Sequence, residues 1–138
     1  MDKFCNLHLH TDASLGDSVI KVEDLVQTLK EYGQEYCAIT DHGSLMNHYK
    51  FQKACEQNDI KFILGNEFYC KTSLGKPTDK TRFHLVLLAQ NEQGLQNIRM
   101  LQRLSVKEHF YYKPLLPHDF LFDLDLDGVF VSTACALS

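Results

Sequence analysis

The sequence predicts an α/β fold built on a mainly parallel sheet, open or closing into a barrel. Three observations lead there. Short apolar runs alternate with stretches of helical periodicity along the chain, as in successive strand–helix–strand units. The 138 residues suffice for one domain with a core of its own and are too few to argue for two. Histidine and acidic residues fall at the ends of apolar runs, where α/β folds gather their ligands.

Taken in order, Lys3 to His10 reads as the first strand. A period of two puts Phe4, Asn6, His8 and His10 on one face and Cys5, Leu7 and Leu9 on the other. Ala13 to Lys21 is a polar loop with Gly16. Val22 to Tyr32 is an amphipathic helix, since Val22, Leu25, Val26 and Leu29 recur at helical spacing, and Gly33 ends it. Tyr36 to Thr40 is a short buried strand with Asp41, His42 and Gly43 directly after it. A helix follows from about Ser44 to Asn58, with Leu45, Tyr49 and Ala54 as inward residues. Ile60 to Tyr69 is a third strand, interrupted by Gly65. Lys71 to Thr81, with Gly75 and Pro77, has no helical pattern and is short for a parallel crossover. An antiparallel hairpin is therefore expected, which would bring His84 beside Glu67. Arg82 to Ala89 is the returning strand. Glu92 to Leu104 is a helix with Leu95, Ile98, Leu101 and Leu104 on one face. Ser105 to Pro114 reads as an aromatic-rich loop, Leu116 to Leu124 as a short helix and Gly128 to Thr133 as the last strand.

Composition narrows the function classes. Hydrophobic residues make up 44% and charged residues 23%, an ordinary globular balance. A net charge of −4 argues against nucleic-acid binding by the whole surface and leaves a local basic patch open. No apolar run reaches the length of a membrane span and no N-terminal signal pattern is present, so a cytoplasmic location without membrane contact is expected. Five cysteines, without close CxxC spacing, fit a reduced compartment better than a disulfide scaffold, and argue against a zinc finger.

The stretch FCNLHLHTDASLGD carries the first chemistry. His8 and His10, two apart on a strand, can grip one metal ion or two adjacent ones, and neutral imidazole suits zinc, manganese and iron alike. Asp12 and Asp17 add hard oxygen donors, although Asp12 also serves as a loop-turning residue. Asp41 can cap the following helix, support a ligand or ligate directly. Glu67 sits in an apolar strand, where an unpaired carboxylate costs several kcal/mol, so a metal or basic partner must neutralise it. His48, His109 and His118 read as surface residues. Cys5, Cys37, Cys55 and Cys70 read as packing, and Cys135 admits that reading too.

The segments NLHLHTDASLGD, AITDHGSLMNHYKFQKAC, IKFILGNEFY, HLVLLAQNEQGLQNI, FYYKP and GVFVSTACALS, in this order, resemble the PHP (polymerase and histidinol phosphatase) domain. The closer likeness is to the version at the start of bacterial DNA polymerase III alpha subunits, over about Phe4 to Leu137. Free-standing histidinol phosphatases share only the sparser metal motifs. The resemblance implies a distorted barrel of parallel strands holding two or three divalent metal ions at its mouth. By motif match the ligands would be His8, His10, Asp17, His42, Glu67, His84 and Cys135, with Asp41 supporting an imidazole as the further catalytic residue. The imidazoles and thiolate fit zinc or manganese better than magnesium.

The family's late Asp-x-His pair has no counterpart here, and Asp123, Asp125 and Asp127 lack a matching histidine. Residues 1–138 are therefore expected to be a PHP domain short of its C-terminal strands, with an uncovered sheet edge or apolar flank. The implied activity is metal-dependent phosphoester hydrolysis of the 3′–5′ exonuclease type in DNA replication. The implied partners are a polymerase core, in the same chain or another, and a DNA 3′ end or other phosphoester. The alternatives are a non-catalytic metal-binding module supporting the polymerase and an inactive remnant. For Tyr111, Tyr112 and Lys113, loop packing stands beside contact with a nucleic-acid backbone.

Overall fold

An apolar stripe of Val22, Leu25, Val26 and Leu29 makes the first regular element a helix, α1 (Val22–Glu31), and all four side chains are buried. The computed structural model describes residues 4–71, 82–117 and 126–134. Glu23 and Asp24 occupy the first turn of α1 and Lys30 the last, the charge order its dipole favours. Then come β1 (Tyr36–Ile39), α2 (His48–Glu56), β2 (Lys61–Lys71), β3 (Phe83–Ala89), α3 (Glu92–Lys107), β4 (Phe110–Tyr111), β5 (Lys113–Pro117) and β6 (Val129–Thr133).

The architecture is mixed α/β. The strand order is β4-β5-β2-β3-β6, with β1 also pairing β2. β1–β2 and β2–β5 are parallel, whereas β2–β3, β3–β6 and β4–β5 are antiparallel. The expectation of a mainly parallel sheet is corrected by these three antiparallel pairings. The expected hairpin between β2 and β3 is one of them. The aromatic stretch read as a loop supplies another, because Phe110 to Pro117 folds back as β4 and β5. Leu116, read as the start of a helix, belongs to β5, and 118–125 lie outside the described residues. The stretch 72–81 does too.

Two other elements differ from the reading of the sequence. Of the strand expected over Lys3 to His10, the described part from Phe4 is not a regular strand. Asn6 makes an isolated parallel bridge to Cys37, then its side-chain Oδ1 accepts the backbone N–H of His8 at 3.1 Å. That local bond competes with a ladder. Asn6 O accepts from Ala38 N and Leu9 O from Thr40 N. Three residues on one segment thus oppose two on the other, a bulge-like mismatch that bends the chain toward β2. The second helix starts at His48, not Ser44. Its buried stripe is His48, Phe51 and Cys55, while Tyr49 is 75% exposed.

The period of two in β2 separates two environments. Leu64, Phe68 and Cys70 face the helices, packing with α1 and α2 in one cluster and with Ile98 and Leu101 of α3 in another. Ile63, Gly65, Glu67 and Tyr69 face the other way. In register with them, Tyr69 opposes His84 and Glu67 opposes Val86. Val86, Leu88 and Ala38 form an apolar floor on that side. A charged carboxylate is thereby placed over an apolar floor. No helix of the described residues is long and apolar enough to cross a membrane.

Candidate metal centre

Glu67 is 3% exposed, and four imidazoles surround its carboxylate. Oε2 lies 2.8 Å from His8 Nε2 and 2.8 Å from His10 Nε2. Oε1 lies 3.3 Å from His84 Nδ1 and 3.9 Å from His42 Nε2. His8 Nε2 and His10 Nε2 are 3.1 Å apart. Asp17, more than half exposed, reaches to 3.4 Å from His10 Nδ1 and 3.8 Å from His42 Nδ1. Three overlapping groups of donors result: His8, His10 and Glu67; His10, Asp17 and His42; His42, Glu67 and His84.

Each side chain arrives by a local cause. The bend after Asn6 carries His8 and His10 across to β2. His42 continues the line of β1, and its bridge to Glu67 is held by Gly43 N donating to Glu67 O at 2.9 Å. The β2–β3 hairpin brings in His84. Tyr69 stacks on the His42 ring at 3.9 Å and 10°, and His84 stands edge-on to both rings. These aromatic contacts set the ring planes.

The electrostatics follow from burial and pairing. Burial alone would raise the Glu67 pKa, but the bonds from His10 and His8 and the nearby imidazole charges outweigh it and hold it at about 2. The bond to Glu67 raises the His10 pKa against the opposing effect of burial. Burial pushes His42 down to about 4 and also lowers His84, in both cases against the pull of Glu67. The cluster thus mixes a protonatable imidazole with neutral ones, and neutral imidazole is the metal-binding form.

The residues present fit a metal ion. His42 Nε2 is buried and finds no hydrogen-bond partner among the described residues, and a buried nitrogen lone pair without a partner is costly. Nitrogen and carboxylate donors about 3 Å apart match the spacing of neighbouring ligands on one ion with bonds of about 2.0–2.2 Å. His8, His10, Asp17, His42, Glu67 and His84 are therefore brought together. Cys135 lies outside the described residues, as does His118.

Asp41 has a different position. It is fully buried, and α2 begins too late for it to act as a cap. Its Oδ1 accepts from Thr11 N at 2.6 Å and from Ser14 Oγ at 2.8 Å, and Oδ2 accepts from Thr11 Oγ1 at 2.7 Å. The Asp41 carboxylate reaches the cluster through Ser14, a residue that the sequence reading missed, while its backbone carbonyl accepts from Glu67 N at 3.1 Å. Ser14 Oγ gives its single proton to Asp41, accepts His42 N at 3.0 Å and lies 2.9 Å from His10 Nδ1. With its proton committed, Ser14 can only accept from His10. In neutral His10 the proton is thereby held on Nδ1 and Nε2 is left free to ligate; in the imidazolium form Nε2 carries the second proton and donates it to Glu67. A small hydroxyl residue four positions after His10 was the available signal, but loops are full of serines.

Asp12 accepts from Asn47 Nδ2 at 2.7 Å and joins none of the donor groups. His48, read as a surface residue, is buried, with Nε2 2.8 Å from Gly65 O. Cys37, Cys55 and Cys70 are buried packing thiols pushed up to about 12 by burial, and Cys5 is half-buried.

The PHP domain family matches residues 6–138. The chain is 42% identical over 142 residues to the DNA polymerase III subunit alpha of Aquifex aeolicus, and 39% identical over 138 residues to that of Borreliella burgdorferi. Each match covers 96% of this chain and 12% of the relative, so the chain spans a small part of their length. Among solved structures, a provisionally assigned metal-dependent phosphoesterase from Bifidobacterium adolescentis aligns with TM-score 0.56 at 18% identity, over 76% of this chain and 34% of that one. An amidohydrolase from Chromobacterium violaceum aligns with TM-score 0.52 at 18% identity, over 75% and 34%. At that identity the likeness is one of fold.

Proposed function

The chain belongs to the PHP domain family, and from that premise we propose that it is a metal-dependent phosphoesterase domain of a DNA polymerase III alpha-type protein, hydrolysing phosphodiesters at a DNA 3′ end. The observation that carries the proposal is the buried Glu67 carboxylate shared among four imidazoles. His8, His10, Asp17, His42, Glu67 and His84 would hold two or three divalent ions, zinc or manganese by the nitrogen-rich donor set, with Cys135 as a seventh ligand. Barrel-like closure of the sheet belongs to the same proposal, supported by the likeness of fold. So does a polymerase core as partner, supported by relatives far longer than this chain.

The bound ions would supply Lewis acidity toward a phosphoryl oxygen and a lowered pKa for an attacking water. The chain's residues do the rest. Glu67 keeps its negative charge at neutral pH and so lowers the net charge of the cation cluster. Ser14 and Asp41 hold the His10 proton on Nδ1. Tyr69 fixes the plane of His42. The apolar floor of Ala38, Val86 and Leu88 keeps water off the underside of the carboxylate, which strengthens each charged contact.

The test is hydrolysis of bis(p-nitrophenyl) phosphate and of a 3′-labelled oligonucleotide with Mn²⁺ or Zn²⁺ added. Cleavage that is lost in His10→Ala, at unchanged secondary structure, is the expected outcome. Metal uptake without any cleavage would leave a structural metal module, and metal content below one equivalent would remove the proposal altogether.

A further inference from the structure

The cleft beside the cluster carries a second chemistry. A cavity of about 740 Å³ is lined by Asp17, His42 and His84 on the cluster's side, a volume typical of ligand sites. Its lining also includes Arg82, Lys113 and Tyr112. The protein carries a net −4, yet among the described residues this cavity sets Arg82 and Lys113 against one carboxylate, that of Asp17. Lys113 Nζ donates to Tyr69 Oη at 2.7 Å and lies 4.3 Å from the centre of that ring. Tyr69 in turn stacks on His42. The ammonium is therefore held one ring away from a candidate ligand.

Tyr112 is 82% exposed and adopts φ 59° between β4 and β5. A bulky residue in the left-handed region is strained, and burial does not repay the strain here. The conformation instead displays the ring in the cleft, braced edge-on by Tyr111 at 4.7 Å. Cations beside an exposed aromatic face are the equipment of single-strand binding. A small phosphate ester would use the cations and leave the ring without a purpose.

We propose that Lys113, Arg82 and Tyr112 form a subsite for the terminal nucleotides of single-stranded nucleic acid, the cations taking backbone phosphate and Tyr112 stacking a base. The proposal rests on the reading of the neighbouring cluster as a phosphoesterase centre, since that is what gives a strand end a reason to lie there. Binding is measured by fluorescence anisotropy of a labelled ten-residue oligothymidylate, with EDTA present so that the result does not depend on catalysis. Lys113→Ala and Arg82→Ala each weaken binding and lower the salt slope by about 0.7 per phosphate lost. Tyr112→Ala weakens it about tenfold, whereas Tyr112→Phe, which keeps the ring, binds like wild type. Circular dichroism checks that each variant is folded, and Arg82→Ala, away from the Tyr69 contact, guards against a folding defect at Lys113.

Wild-type affinity in all three alanine variants would overturn the subsite, as would displacement of the oligonucleotide by inorganic phosphate at equal concentration. Hydrolysis by the Mn²⁺-loaded wild type is followed in parallel. If hydrolysis is absent but the alanine variants weaken binding, the subsite stands and the phosphoesterase reading falls. If hydrolysis is present and the alanine variants bind as wild type does, the subsite alone falls.

Discussion

Glu67 is the residue on which the site turns, because a carboxylate over an apolar floor has no stability of its own. Replacing it with Gln keeps the shape and removes the charge. Glu67→Gln should reduce bound transition metal to below one equivalent by elemental analysis and abolish metal-dependent cleavage. The pH response of the metal-free chain follows from His42. Its folded pKa of about 4 lies below the ordinary 6.5, so its neutral form contributes stability above pH 6.5. That contribution is lost as pH falls from 6.5 to about 4, by up to a few kcal/mol. His10 acts with the opposite sign: its raised pKa contributes stability below pH 6.5 that is lost as pH climbs through the raised value. Urea denaturation between pH 7 and 4 with EDTA present should therefore show a loss that His42→Gln reduces. Ser14→Ala removes the acceptor that holds the His10 proton on Nδ1. Metal affinity should fall by about 10–100-fold, and ¹⁵N shifts of the His10 ring should show a changed tautomer ratio. A purely structural role for Ser14 would lower stability and leave those shifts alone.

At the scale of elements, β2 is the axis. It pairs with β1 through its first half, with β5 through its last residues and with β3 along the opposite edge. Gly65 is required there because a Cβ would stand 2.5 Å from Leu87 O and 2.7 Å from Leu88 Cδ2. The helix α3 is anchored at its start by Asn91, whose side chain accepts from Gly94 N at 2.9 Å. Asn91→Ala should cost about 1 kcal/mol in chemical denaturation. Element positions were legible in the sequence wherever periodicity was strong, as in α1, β2, β3 and α3. The N-terminal segment was misread because Asn6 bonds to its own backbone, a local event with no periodic signature. Phe110 to Pro117 was misread because a two-residue strand is too short to alternate.

At the scale of the whole molecule, the candidate ligands come from segments far apart in the chain, so metal binding by them would be coupled to folding. Loading to a hundred times the dissociation constant should stabilise the fold by about 2.7 kcal/mol, or roughly 8 °C in melting temperature. EDTA should reverse that shift in differential scanning fluorimetry. Outside the site, β6 leaves Phe130 61% and Val131 48% exposed. An apolar strand exposed in this way favours association. Phe130→Lys should reduce concentration-dependent sedimentation without changing metal content.

The sequence by itself determined the alternation of strands and helices, the hairpin that returns His84 to Glu67, and which residue types could ligate. Those are local properties, written in period, turn composition and side-chain chemistry. Only the tertiary structure decided that β5 would join β1 as a parallel neighbour on one edge of β2, and that β6 would pair antiparallel with β3. It alone joined Asp41 to His10 through Ser14, and set Lys113 against Tyr69 beside His42. Contacts between segments tens of residues apart depend on how strands register and where bulges bend them, and no local pattern encodes that.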